Sequence, residues 1–329
     1  MLRIGTLGTG GIINKHIGAL AKSGDAEIVA LCDVNPDAIE TAKAAHFEGK
    51  EIGGYTDSEE MLANENLDAV IIATPHTLHY GHAVQALDAG CHVFLEKPMT
   101  TSSKDAYKLA EKAKEVGKVV AVGYNTSSKQ VFQYLREQIR NKTYGSLEMV
   151  TGYISQNWMK GTAGKWRQIP ELSGGGQAYD SGAHILNSLL WSVESEPEMV
   201  FAFTDNKDCL VDINSVMSVR FANGVLANIT IGGNCAFGGR FMAFVFEGGV
   251  VEIDGWGGNW MKVKVKGLPE EPEFDIPEVT PIDNFVDAIL GKTEVAAGLQ
   301  NGINHSLLMD GIYASARLGQ PVNPAKLEE

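Results

Sequence analysis

The sequence predicts an α/β domain on a doubly wound parallel sheet, followed by an α+β domain with a large, mainly antiparallel open sheet. Over residues 1–123, short apolar runs alternate with stretches of helical periodicity, the pattern of a parallel sheet covered on both faces. From Tyr124 onward, strand-like runs follow one another through short turns, as antiparallel pairing requires. Length agrees, since 329 residues exceed one typical core. The expected domains are 1–123 and 124–329, the latter closed by a helix over 303–318.

Composition narrows the function. Hydrophobic content of 44% and charged content of 21% are ordinary for a globular protein. Forty-one acids against 27 Lys and Arg give a net charge of −14, which argues against nucleic acid or an anionic membrane as partner. No apolar stretch approaches the ~18 residues of a membrane span, and the N-terminus enters a strand without a signal-like run. The four cysteines show no CxxC spacing and read as buried thiols, which fits a reducing cytoplasm.

Leu2–Leu7 is the first strand, and Gly8-Thr9-Gly10-Gly11 follows it directly. Ile13, Ile17 and Leu20 recur at helical spacing, so a helix opens just past the glycines. Glycine permits a tight turn and close approach to a pyrophosphate, whose charge the helix N-terminus favours. Glu27–Leu31 is the second strand and ends at Cys32-Asp33. Asp33, twenty positions past Ile13, stands where an acid binds the adenosine ribose hydroxyls. No arginine follows in Val34-Asn35-Pro36 to meet a 2′-phosphate, which favours NAD over NADP, with nearby Lys43 leaving the second open. Asn35 caps the next helix, with Pro36 at its first position. Gly8, Thr9, Gly10, Gly11, Ile12, Asp33 and Asn35 are the cofactor residues expected here.

Leu67–Ala73 is the third strand, and Thr74-Pro75-His76 is its loop. Cys91–Leu95 is the fourth, and it ends abruptly in Glu96-Lys97-Pro98. Ligands of open parallel sheets bind beyond the carboxyl ends of the strands, where Lys97 would project to meet both cofactor and substrate. Pro98 stops the strand and keeps Lys97 extended. Ser102 and Asp105 start a helix that ends near Gly117, and Lys118–Val122 closes the domain. His76, His79 and His82 recur every third residue, but such steps drift around a helix and lack carboxylate or thiol companions at ligand spacing. No metal is expected. His76 and His79, with Thr74 and Pro75, read as lining the cofactor, Glu96 as supporting it, and His82 as a surface residue.

In the second domain, Val131–Arg140 is helical and seven strands follow: Leu147–Ile154, Met199–Phe203, Ser215–Phe221, Val225–Ile231, Phe241–Phe246, Val250–Ile253 and Met261–Lys266. Gly267–Pro281 reads as a linker. One sheet face is to be covered by helices, the other by solvent or a second subunit. The chemistry lies in Ser173–His184. Asp180 and His184, four apart, would share one face of a helix and bear on one substrate. A histidine near its neutral pKa can take a hydroxyl proton as hydride leaves the same carbon. The glycines would let the backbone pass close to a ligand. Trp166-Arg167 supply a stacking face and a guanidinium fork for a sugar-like ring, or else serve packing.

These pieces, in this order and spacing, resemble the Gfo/Idh/MocA family, the glucose–fructose oxidoreductase and inositol dehydrogenase group. They are GTGG at 8–11, Asp33, ATPHTLH at 73–79, EKP at 96–98, GYN at 123–125 and GGGQAYDSGAH at 174–184. The resemblance covers essentially the whole chain. It implies an N-terminal Rossmann domain, a C-terminal sheet that builds homodimers or homotetramers, and a catalytic set of Lys97, Asp180 and His184. It further implies a cis Lys97–Pro98 peptide and a cofactor contact at Asn125. Two positions depart from the family pattern: Ile13 replaces a small residue in the glycine loop, and Asn187 stands where many relatives carry an acid.

The expected activity is reversible oxidation of a secondary alcohol on a sugar, sugar derivative or cyclitol, with NAD taking the hydride. His184 is the base, Asp180 orients it, and Lys97 stabilises charge on the reacting oxygen. Lys97, Trp166, Arg167, Asp180 and His184 are the expected substrate contacts. An alternative is glycoside hydrolysis by transient oxidation and elimination, which would accumulate no reduced cofactor. A third reading is a catalytically silent, NAD-bound regulator.

Overall fold

The computed structural model describes residues 1–327. The chain divides into two compact units, Met1–Gly123 with Val279–Gly302, and Tyr124–Glu278 with Ile303–Glu329. This differs from the expected division, which left everything past residue 123 in the second domain. The reason is a helix the linker reading overlooked, Pro281–Ile289. Its Ile282, Phe285 and Val286 form one apolar stripe and pack into the first unit's core with Ile4, Ile13 and Phe94. Val122 also donates its N–H to the Ala297 carbonyl at 2.9 Å. The closing helix runs Leu299–Leu318, starting four residues before the expected 303.

In the first unit, β1 (Leu2–Leu7), β2 (Ala26–Cys32), β3 (Gly53–Tyr55), β4 (Ala69–Ile72), β5 (His92–Leu95) and β6 (Val120–Val122) form one sheet in the order β3-β2-β1-β4-β5-β6. Every pairing is parallel. All four residues of β4 are fully buried, as helices on both faces require. The strand order reverses between β1 and β4, and the loops at that switch point are where such sheets take ligands. The short edge strand β3 and the helix Ser58–Asn64 were not anticipated, because Gly53-Gly54-Tyr55 carries no apolar alternation.

The second unit's sheet contains β7 (Leu147–Ser155), β8 (Pro197–Asp205), β9 (Asn214–Phe221), β10 (Leu226–Gly232), β11 (Gly239–Phe246), β12 (Gly249–Ile253) and β13 (Met261–Val265). The order is β13-β12-β11-β7-β10-β9-β8, with one parallel pair, β7–β10, among antiparallel ones. Burial alternates along β7, β9 and β10, so one face is covered and the other open. On the covered face Ile154, Ile229 and Phe244 pack against Ile185, Leu186 and Leu189 of the helix Gly182–Val193. Met149, Tyr153, Val216 and Leu226 remain substantially exposed. Among the described residues no helix is long and apolar enough to cross a membrane.

Candidate active site

At the end of β1, Gly8 has φ +91°, and a Cβ there would stand 2.7 Å from the Ala73 carbonyl oxygen. Only glycine fits this crossing. Gly10 and Gly11 differ, since a Cβ at either meets no described atom within 4 Å. Both lie exposed ahead of the helix Ile13–Ser23. Among the described residues no side chain caps that helix, and no acid stands in its first turn. An uncapped N-terminus behind an open glycine backbone suits a pyrophosphate, so the loop fits a dinucleotide. Ile13, the departure in the glycine pattern, is fully buried and packs into the core.

Asp33 is tied to that loop. Its Oδ2 accepts from Thr9 N–H (2.8 Å) and Thr9 Oγ1 (3.1 Å), and its Oδ1 from Asn35 N–H (2.9 Å). Asn35 is spoken for as an N-cap, its Oδ1 accepting from Asp37 N–H at 3.1 Å. Ile12, at 37%, and Val34, at 90%, expose apolar surface beside these groups, as a wall for a flat ring would.

Of the three histidines after β4, His79 and His82 depart from expectation. His79 is fully buried, with Nδ1 2.7 Å from the Pro98 carbonyl oxygen and Nε2 2.9 Å from that of Thr74. It clamps two strand-end loops together instead of lining the cofactor. Burial pushes its pKa down against those two carbonyls, which pull it up. His82 is half-buried rather than a surface residue, its Nδ1 3.0 Å from Thr74 Oγ1. His76 is 4% exposed and meets His79 edge to face at 5.8 Å, and Pro75 precedes the short turn His76–Leu78. Among the described residues no group of three or more His, Cys, Asp or Glu side chains could hold a metal ion.

Past β5, Glu96 is 8% exposed. Its Oε1 lies 2.7 Å from His16 Nε2, and its Oε2 accepts from Lys97 N–H at 3.2 Å. Gly123 makes room, since a Cβ there would stand 3.0 Å from Oε1. Burial alone would raise the Glu96 pKa, but the His16 hydrogen bond and the Lys97 charge bring it below the usual value. Lys97 is half-buried, and the Lys97–Pro98 peptide is cis. His16 carried no signal in the sequence beyond its place on the first helix.

In the second unit the glycine run serves the protein's own backbone, contrary to the ligand-approach reading. A Cβ on Gly176 would stand 1.9 Å from the Asp212 carbonyl oxygen. The Asp212 carboxylate in turn accepts from Gly176 N–H (2.7 Å), Ala178 N–H (2.9 Å) and Tyr313 Oη (2.5 Å). The helix starts only at Gly182, so Asp180 lies in the preceding turn, and the shared helix face does not apply. Asp180 is 7% exposed, and its Oδ2 accepts from Trp158 Nε1 (2.8 Å) and Arg167 Nε (3.0 Å). The Arg167 guanidinium also lies 4.5 Å from the Trp166 ring centroid, so Arg167 is held between that ring and the Asp180 carboxylate.

His184 is half-buried on the first turn of its helix, with Nδ1 3.2 Å from Asn125 Oδ1. An amide oxygen can only accept, so Nδ1 carries the hydrogen and Nε2 is the basic nitrogen. Asn125, expected at the cofactor, thus sits beside the candidate base. The Trp256 indole stacks on the same imidazole, with centroids 4.5 Å apart and planes at 17°. Asn187, one turn on, is fully buried. Trp158, Trp256 and the Asn125 contact escaped sequence reasoning because each joins segments distant in the chain.

Comparison with known proteins assigns the family. Residues 2–124 match "Oxidoreductase family, NAD-binding Rossmann fold", and residues 132–252 match "GFO/IDH/MocA C-terminal domain". The D-glucoside 3-dehydrogenase of Escherichia coli is 31% identical over 58% of this chain and 53% of its own length. The glucose-6-phosphate 3-dehydrogenase of Bacillus subtilis is 28% identical over 70% of this chain and 67% of its own. The chain thus spans about half to two thirds of these curated relatives. Among solved structures, the WlbA dehydrogenase from Bordetella pertussis, in complex with NADH and UDP-GlcNAcA, superimposes with a TM-score of 0.85 at 28% identity, covering 98% of each chain. The chain belongs to the GFO/IDH/MocA family of oxidoreductases with an NAD-binding Rossmann fold.

Proposed function

We propose that this protein oxidises a secondary alcohol of a sugar, sugar derivative or cyclitol, reversibly, with NAD as hydride acceptor. The observation that carries the reading is the His184–Asn125 contact, which makes Nε2 of a half-buried imidazole its basic nitrogen. His184 Nε2 takes the hydroxyl proton while the hydride on the same carbon leaves, so alcohol and oxidised cofactor become ketone, reduced cofactor and a protonated imidazole. The Lys97 ammonium stabilises negative charge growing on the alcohol oxygen, and Asp180, steadied by Trp158 and Arg167, hydrogen-bonds the substrate. Nicotinamide, when bound, supplies the hydride acceptor. When the dinucleotide is bound, Gly10, Gly11 and the backbone N–H of Ile12 would hold its pyrophosphate, and Asp33 would take the adenosine ribose hydroxyls. A carboxylate there disfavours a 2′-phosphate, hence NAD over NADP. Lys43, the cation that left NADP open, pairs with Glu40 at 3.2 Å.

The relatives' names, a glucoside and a glucose-phosphate dehydrogenase, support a sugar-ring substrate. Both are dehydrogenases, and nothing in them favours the glycoside-hydrolysis alternative. The chain works as a homodimer or homotetramer joined through the open sheet face that exposes Met149, Tyr153 and Leu226. Its four free cysteines suit a reducing compartment such as the cytoplasm. The test is a panel of sugars, glycosides and polyols with NAD and NADP in parallel, following reduced-cofactor absorbance. Reduced NAD building up with at least one compound supports the reading. Tight NAD binding with no turnover across the panel contradicts it, as does aglycone release without reduced cofactor.

A further inference from the structure

The turn Asp254-Gly255-Trp256-Gly257-Gly258-Asn259, between β12 and β13, has no part in the roles assigned above, yet it is a built element. Asp254 is 2% exposed. Its Oδ1 accepts from the backbone N–H of Trp256 (3.3 Å) and Gly257 (3.1 Å) and pairs with Arg240 Nε at 2.7 Å. Its Oδ2 accepts from Asn259 N–H (3.3 Å) and Nδ2 (2.5 Å). A buried carboxylate with donors on both oxygens holds the turn in one shape. The glycines have steric reasons too. A Cβ on Gly255 would stand 2.6 Å from Met242 Cγ, and Gly258 has φ +59°.

What the turn presents is the half-buried Trp256 indole, flat against the His184 imidazole. The Asn125 contact restrains that ring at one nitrogen, and a parallel indole restrains its tilt. We propose that Trp256 is a positioning residue for His184, held by the Asp254-centred turn so that the imidazole plane, and with it the approach of Nε2 to a substrate hydroxyl, is fixed. This rests on the reading of His184 as base.

The contact is testable without substrate. The chain has eight histidines, so their ring protons can be followed by NMR in the histidine-labelled protein, with His184→Gln assigning the signal. A stacked indole displaces the His184 ring protons upfield. Trp256→Leu returns them to the ordinary imidazole range, and Trp256→Phe, the variant that keeps an aromatic face should the first fail to fold, leaves a smaller displacement. His184 signals at ordinary positions in the wild type, or unmoved by either substitution, overturn the contact. Positioning is tested in turnover with NAD and methyl D-glucoside, D-glucose 6-phosphate or myo-inositol. Trp256→Leu lowers kcat on the order of 10²-fold with KM little changed, and Trp256→Phe recovers most of the loss. In the His184→Gln background, Trp256→Leu costs nothing further. Unchanged kcat in Trp256→Leu, or an equal loss in both backgrounds, overturns the role. Wild-type turnover in His184→Gln itself sinks the base assignment and leaves Trp256 nothing to position.

Discussion

Lys97 leaves the end of a buried parallel strand and is braced through its chain neighbours, Glu96 on one side and the Pro98 carbonyl on the other. His184 and Asp180 leave a turn and a helix start, and are braced by side chains from distant segments, Asn125, Trp256, Trp158 and Arg167. The first arrangement is set by sheet topology, and His16 and His79 only tighten it. The second depends on individual side chains, any of which can be exchanged without disturbing a strand.

Lys97→Ala should lower kcat by roughly 10²–10⁴-fold while NAD affinity holds, read by steady-state kinetics and cofactor fluorescence. Equal losses in both would make Lys97 a cofactor residue instead. Gly8→Ala, with its positive φ and a 2.7 Å approach to backbone, should destabilise the first unit by about 1–3 kcal/mol. Gly10→Ala, with open space, should leave the melting temperature unchanged and weaken NAD binding roughly tenfold. Trp158→Phe removes one donor from the buried Asp180 and should cost about 1–3 kcal/mol, with kcat falling alongside. Asp33→Asn should narrow the preference for NAD over NADP roughly tenfold, measured as the ratio of kcat/KM values.

The smallest expected effect concerns a clamp in the second unit. Burial pushes the Glu194 carboxyl up, but hydrogen bonds from Arg140 and Arg136 bring it down to about 2. A pKa depressed by folding adds stability that is present above the ordinary carboxylate range and lost as pH falls through about 2. Wild type should therefore melt above Glu194→Gln at neutral pH, with the gap closing toward pH 2. A gap independent of pH would deny the clamp.

Much of the fold was legible in the sequence. β1 matches its expected bounds, and the seven strands of the second sheet appear within a few residues of theirs, because burial on one or both faces writes itself as alternation or as an apolar run. The helix Pro281–Ile289 had its start signal too, Thr280 capping Asp283 N–H at 3.2 Å just before Pro281 and Ile282. Its membership in the first unit is a tertiary fact that local pattern does not carry. At the candidate site, Lys97, Asp180 and His184 were legible in the sequence, and so were Glu96, Asn125 and Arg167 in other roles, whereas His16, Trp158 and Trp256 were not. His79 shows why. At strand-end spacing it resembled a cofactor residue, and only the two carbonyls within reach of its ring show a clamp.

His184 is the residue on which the chemistry turns most directly. With NAD and a sugar that the wild type oxidises, burst and steady-state formation of reduced nicotinamide should be compared with His184→Gln at equal cofactor occupancy. A loss of roughly 10²–10⁴-fold in the chemical step is expected. Reduced cofactor forming at the wild-type rate in His184→Gln would contradict it.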